Sequence, residues 1–148
     1  MLYYLSLGSN LGQREQTLRE ALTNVEQQVG HILRCSNLYY SEPWGFESGN
    51  TFCNLCCAVE SEASPYEVLA ITQHIERQLG RTKKTQTTAQ NTPVYSDRNI
   101  DIDIIRVFDS ETEVHISSPE LTIPHPLWHL RDFVTIPLKE ICSQLSDL

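Results

Sequence analysis

Arg98-Asn99-Ile100-Asp101-Ile102-Asp103-Ile104-Ile105 decides how the chain folds. Its apolar residues are β-branched and follow a long polar run, which is the pattern of a buried central strand. Side chains alternate along a strand, so Asp101 and Asp103 leave one face with Cα atoms about 6.5–7 Å apart. Two bare carboxylates beside each other on a core strand are costly. Shared hard cations turn the cost into a gain, since two Mg²⁺ held about 4 Å apart require such oxygen ligands. Asp-x-Asp alone is also what an ordinary alternating strand presents, its acids facing water or pairing with Arg98 and Arg106.

Around this strand, 148 residues with 40% hydrophobic and 20% charged side chains fit one globular domain spanning 1–148. No apolar run approaches the roughly 20 residues of a membrane span. Met1 leads straight into strand-like Leu2-Tyr3-Tyr4-Leu5 without a basic n-region, so a cytoplasmic chain is expected. The five cysteines are odd in number and scattered. Cys53 and Cys56 sit in a strand pattern where a spacing of three sends them to opposite faces, so reduced buried thiols are expected rather than a redox or zinc pair.

The upstream half alternates strand and helix. Leu2–Leu7 reads as a strand ended by Gly8-Ser9-Asn10, with Ser9 or Asn10 capping a helix over 11–28. Its face is Leu18, Ala21, Leu22, Val25 and Val29, and Gly30 stops it. His31–Tyr40 is strand-like, and 41–50 is a loop whose Trp44 and Phe46 either form a binding surface or tuck back onto the core as a lid. Phe52–Glu60 is a strand with Phe52, Asn54 and Cys56 on one face. Ser64-Pro65-Tyr66-Glu67 is a complete helix start, and Val68, Ile71, Ile75 and Leu79 form the stripe behind it. Gln73 and Glu76 project together from its flank.

Residues 82–96 are polar and aperiodic, as in a functional lid or a disordered segment. After the Asp-x-Asp strand come a turn at Asp109-Ser110-Glu111, a short strand at 114–116 and a helical segment over 127–134. The order predicts an α+β fold: a ferredoxin-like βαββαβ core, antiparallel, with its helices on one face, plus a C-terminal hairpin and short helix.

The net charge of −8 argues against a nucleic-acid binder. Positive charge is nevertheless concentrated: Arg81, Lys83, Lys84 and Arg98 are four of the eleven Lys and Arg, within 18 residues ahead of the acid pair. A local basic patch beside candidate metal ligands fits a small polyphosphate. A ligand-sensing module without chemistry, and a divalent-metal nuclease on the same carboxylates, are the competing classes; the acidic charge disfavours the nuclease.

Six short motifs then occur in order. They are Gly8-Ser9-Asn10-Leu11, Glu42-Pro43-Trp44-Gly45, Phe52-x-Asn54, Leu79-Gly80-Arg81, Arg98-x-x-Asp101-x-Asp103, and Pro124-His125 with Arg131-x-Phe133. Together, over residues 2–141, the chain resembles the 6-hydroxymethyl-7,8-dihydropterin pyrophosphokinase family. That resemblance implies transfer of diphosphate from ATP to a pterin alcohol in folate biosynthesis, by a monomer acting on small molecules.

By the same resemblance Asp101 and Asp103 would hold two Mg²⁺. Phe52 and Phe133 would sandwich the pterin, Asn54 and Ser41 would bond its edge, and Glu42 and Trp44 would line its pocket. Gln73, Glu76, Lys83, Arg98, His125 and Arg131 would contact ATP. Arg81, Lys83, Arg98 and the two acids would carry catalysis. Lys83 stands where Arg is common in the family, and Tyr95 near a common Trp.

Overall fold

Strand β1 (Leu2–Ser9) is the axis of the sheet in the computed structural model, which describes residues 1–42, 51–80 and 99–142. After it come α1 (Arg14–Gln28), β2 (His31–Cys35), β3 (Tyr39–Ser41), β4 (Phe52–Glu60), α2 (Pro65–Gln78) and β5 (Asp101–Asp109). The short strands β6 (Thr112–Glu113), β7 (Ile116–Ser117) and β8 (Thr122–Ile123) precede α3 (Asp132–Ile141). The main sheet runs β2-β4-β1-β5-β6, with β3 also on β4; its pairings are all antiparallel. Among the described residues, three α-helices, this antiparallel sheet and a two-stranded β7-β8 sheet make up the architecture.

Partners directly opposite in antiparallel strands point to the same side. On one side Leu5, Leu7, Leu55, Cys57, Val59, Ile102 and Ile104 form a core with Leu18, Ala21 and Val25 of α1 and Val68 and Ile75 of α2. On the other, Tyr4, Cys56, Ala58, Ile105 and Phe108 pack against Val134, Leu138 and Ile141 of α3. Helices therefore cover both faces, where one was expected. The cause is visible in β1 and β4, which are buried at nearly every position instead of every second one. A bulge between Tyr4 and Leu5, opposite Ile104–Arg106, turns Ile105 toward α3. Cys53 and Cys56 do lie in opposite cores, and none of the five cysteines is joined in a disulfide.

Local differences have local causes. Helix α1 starts at Arg14 after Gln13, without a side-chain cap, because Gly12 turns the chain at φ +61° and leaves Ser9 and Asn10 buried upstream. The expected strand over 31–40 is two strands, β2 and β3. The strand expected at 114–116 pairs earlier, at Thr112–Glu113, across a two-residue turn with Ser110 at φ +57°. The C-terminal helix runs from Asp132 to Ile141, longer than the sequence pattern suggested.

Helix α2 begins as its sequence demands. Glu67 N donates to Ser64 Oγ at 3.3 Å, and Ser64 N donates to Glu67 Oε1 at 2.9 Å. Ser64→Ala should cost about 1 kcal/mol and lower Tm by about 2–4 °C in a chain of this size. A melting curve superimposed on the wild type would contradict that role for the cap.

Candidate functional site

On the α3 side of the sheet the strand register sets out successive rows. One is Ala58–Tyr4–Arg106, the next Cys56–Ser6–Asp103, and the third Asn54–Gly8–Asp101. The first belongs to the apolar floor under α3. The third carries no apolar side chain. The two acids, Asn54 and Phe52 therefore share one face at the end of the sheet, with β1 between them.

At the β4 end, Asn54 is 2% exposed and its orientation is set by its neighbours. Its Nδ2 donates to Tyr39 O at 3.0 Å and to Ser41 Oγ at 2.8 Å. Those bonds tie β3 to the floor and leave Oδ1 lying over β1. Phe52 is half-buried next to it and pairs with Ser41 in the ladder, while Glu42 is exposed just beyond.

At the β5 end, burial holds the Asp103 carboxyl well above the ordinary carboxylate range, and the neighbouring Asp101 and Glu76 carboxylates push it further. Arg131 opposes this, and a hydrogen bond with Asp101 favours the protonated form. Without a cation, ionisation of Asp103 beside Asp101 and Glu76 is therefore opposed. That donor set suits a divalent cation, which can replace the proton and relieve the repulsion. Among the described residues no group of three or more His, Cys, Asp or Glu side chains is arranged around a metal position. A cation on this pair would complete its shell with water and phosphate oxygens, the habit of Mg²⁺.

Two further side chains, His125 and Arg131, border this end. His125 Nδ1 accepts from Leu127 N at 3.1 Å, which puts the ring proton on Nε2. Burial, then the Arg131 charge, lowers the His125 pKa, with Asp101 opposing, so the ring is a neutral donor at pH 7. Arg131 is the N-cap residue of α3, with Cζ 5.7 Å from the centre of the Phe133 ring. The turn just before it is locked by Arg106, which forms two 2.6 Å bonds to Glu113 and stacks on Trp128 at 5.3 Å. Such a bidentate pair gives a fixed geometry.

Glu76 is 6% exposed, and its Oε2 accepts from Ile102 N at 2.8 Å, so it satisfies the open edge of β5 as well as bordering the acid pair. Gln73 is exposed one turn earlier. Trp44, Arg81, Lys83, Tyr95 and Arg98 lie outside the described residues. Sequence reading did not single out Ser6, which is 6% exposed in the row between Cys56 and Asp103. Its signal was its place two residues before Gly8. The Cys56 thiol is pushed up to about 12 by burial and is inert as a nucleophile.

Comparison with known proteins shows the family. The 7,8-dihydro-6-hydroxymethylpterin-pyrophosphokinase (HPPK) family matches residues 4–143. The chain is 46% identical over 144 residues to a 2-amino-4-hydroxy-6-hydroxymethyldihydropteridine pyrophosphokinase of Porphyromonas gingivalis, covering 97% of this chain and 92% of that one. Identity to the protein of the same name from Bacillus subtilis is 35%, covering 97% and 79%. Among solved structures, an HPPK-DHPS protein in complex with substrates superposes with a TM-score of 0.67 at 16% identity. Wild-type Plasmodium falciparum HPPK-DHPS does so at 0.66 and 16%. In both cases 97% of this chain is covered, and it spans 40% of the solved chain, so these two speak to the fold alone. The chain belongs to the 7,8-dihydro-6-hydroxymethylpterin-pyrophosphokinase family.

Proposed function

We propose that this chain transfers the pyrophosphoryl group of ATP to 6-hydroxymethyl-7,8-dihydropterin, releasing AMP, in folate biosynthesis. The observation that carries the reading is the row Asn54–Gly8–Asp101, which sets a polar anchor for a flat ring one strand away from an acid pair. The names of the relatives at 46% and 35% identity supply the substrate.

In this reading the pterin lies between Phe52 and Phe133, a geometry that suits a heteroaromatic ring. Asn54 Oδ1 and Ser41 bond its edge, and Glu42 and Trp44 border the pocket. Two Mg²⁺ on Asp101 and Asp103 would neutralise and orient the triphosphate. Arg131 and the Nε2–H of His125 hold phosphate oxygens, and Gln73 and Glu76 border the nucleotide. Arg81, Lys83 and Arg98 add positive charge as the bond breaks. The pterin hydroxyl oxygen bonds to the β-phosphorus, the bridge to the α-phosphorus breaks, and AMP leaves while the hydroxyl proton passes to solvent. Positioning and electrostatics supply the catalysis, and no side chain forms a covalent intermediate.

We read the strand order as a ferredoxin-like βαββαβ core to which α3 is added, and take residues 1–148 to act as one pyrophosphokinase unit. In the same reading the protein works as a cytoplasmic monomer. Melting curves with ATP and Mg²⁺, with the pterin, and with both test the reading. ATP should raise Tm only when Mg²⁺ is present, and the two ligands together should raise it further. An ATP shift that persists in EDTA would count against the acid pair as the nucleotide anchor.

A further inference from the structure

Gly8 lies where the two halves of the site meet, opposite Asn54 on one side and Asp101 on the other. A Cβ built there would stand 2.9 Å from Asn54 Oδ1 and 3.5 Å from Phe52 Cδ1, with Asn54 Cγ next at 3.9 Å. The three nearest atoms thus all belong to the ring-binding half. The first distance is shorter than real Cβ contacts, so Oδ1 would have to move. Asn54 cannot yield cheaply, because its Nδ2 is held by Tyr39 O and Ser41 Oγ.

We infer that Gly8 is a positioning residue for pterin recognition: its missing side chain lets the Asn54 amide and the Phe52 ring lie across β1 in the pose that reads the ring. This inference rests on the assignment of Asn54 and Phe52 to the pterin. It separates the two substrates, since any Cβ at position 8 displaces groups on the pterin side and leaves the acid pair in place. The strand conformation itself is ordinary, so the requirement for glycine comes from close approach and not from φ.

The test is Gly8→Ala, read by steady-state kinetics in both substrates and by calorimetric titration with a non-hydrolysable ATP analogue and Mg²⁺. The pterin KM should rise at least about tenfold, the range of one lost hydrogen-bonding group, while kcat and the nucleotide Kd stay within about twofold. A pterin KM equal to wild type, or equal weakening of both ligands, overturns the inference.

Gly8→Ala/Asn54→Ala supplies the control for folding. With the clashing amide gone, the added methyl should leave Tm where Asn54→Ala alone puts it. A further drop in the double variant, or its failure to fold where Asn54→Ala folds, places the clash elsewhere and also overturns the inference. A wild-type chain that makes no AMP from ATP and the pterin would defeat the functional reading. Wild-type turnover with an unaltered Gly8→Ala KM would defeat only the role of Gly8.

Discussion

Asp103→Ala is expected to reduce turnover by at least about 10³-fold, equivalent to roughly 4 kcal/mol of transition-state stabilisation. The same loss should follow Asp101→Ala, and the two should not add, because either substitution dismantles one site. The more discriminating variant is Asp103→Asn, which keeps the shape and removes the charge. It should be as inactive as the alanine variant and yet more stable than wild type in EDTA at neutral pH. The reason is the raised Asp103 pKa: burial and the facing Asp101 and Glu76 carboxylates oppose its ionisation.

The sign follows from linkage. A carboxyl whose folded pKa lies above its unfolded value contributes stability that is full below the unfolded pKa, near 3.8, and is lost as pH rises through the raised folded pKa. The stability advantage of Asp103→Asn over wild type, measured without metal, should therefore grow as pH climbs through that window and then level off. Added Mg²⁺ should narrow the gap by stabilising the wild type alone. Protons should also compete with the metal, so Mg²⁺ should bind more weakly as pH falls. Equal stability of wild type and Asp103→Asn in EDTA at all pH values would remove the repulsion from the account.

Asn54→Ala is expected to lower kcat/KM for the pterin by about 30–150-fold, or roughly 2–3 kcal/mol. In the proposed reading its oxygen bonds the ring, and its nitrogen donates to Tyr39 O and Ser41 Oγ. Removing it deletes a recognition group and loosens β3, which carries Ser41. The nucleotide should be indifferent, with its Kd in Mg²⁺ within about twofold of wild type, since Asn54 is separated from Asp101 by the whole of β1. Titration of each ligand by fluorescence or calorimetry checks the split. A parallel loss of nucleotide affinity would mean that Asn54 holds the sheet and does not read the pterin.

The placement of the acid pair was legible because it depends only on strand alternation. Period two puts Asp101 and Asp103 on one side, and the same rule puts Phe52, Asn54 and Cys56 together on β4. The capping box at Ser64 was legible for a similar reason, since all its parts lie within four residues. What escaped was decided by contacts between distant segments. That α3 takes the second face follows from Tyr4, Cys56 and Ala58 being small or apolar on the side away from α1 and α2, and from the bulge that turns Ile105 toward it. That Glu76 bonds Ile102 N depends on where β5 runs out of strand partners, which no local pattern encodes. The early start assigned to α1 overlooked the turn at Gly12, which separates Ser9 and Asn10 from the helix. The expectations for Trp44, Arg81, Lys83 and Arg98 lie outside the described residues and stand on the family resemblance.

The most direct measurement is product analysis by ³¹P NMR of the purified chain with ATP, 6-hydroxymethyl-7,8-dihydropterin and Mg²⁺, run beside Asp103→Ala. Wild type should form AMP and the pterin diphosphate in equal amounts, and the variant should leave both substrates intact. Formation of ADP, binding of both ligands without any turnover, or a variant as fast as wild type would contradict the account.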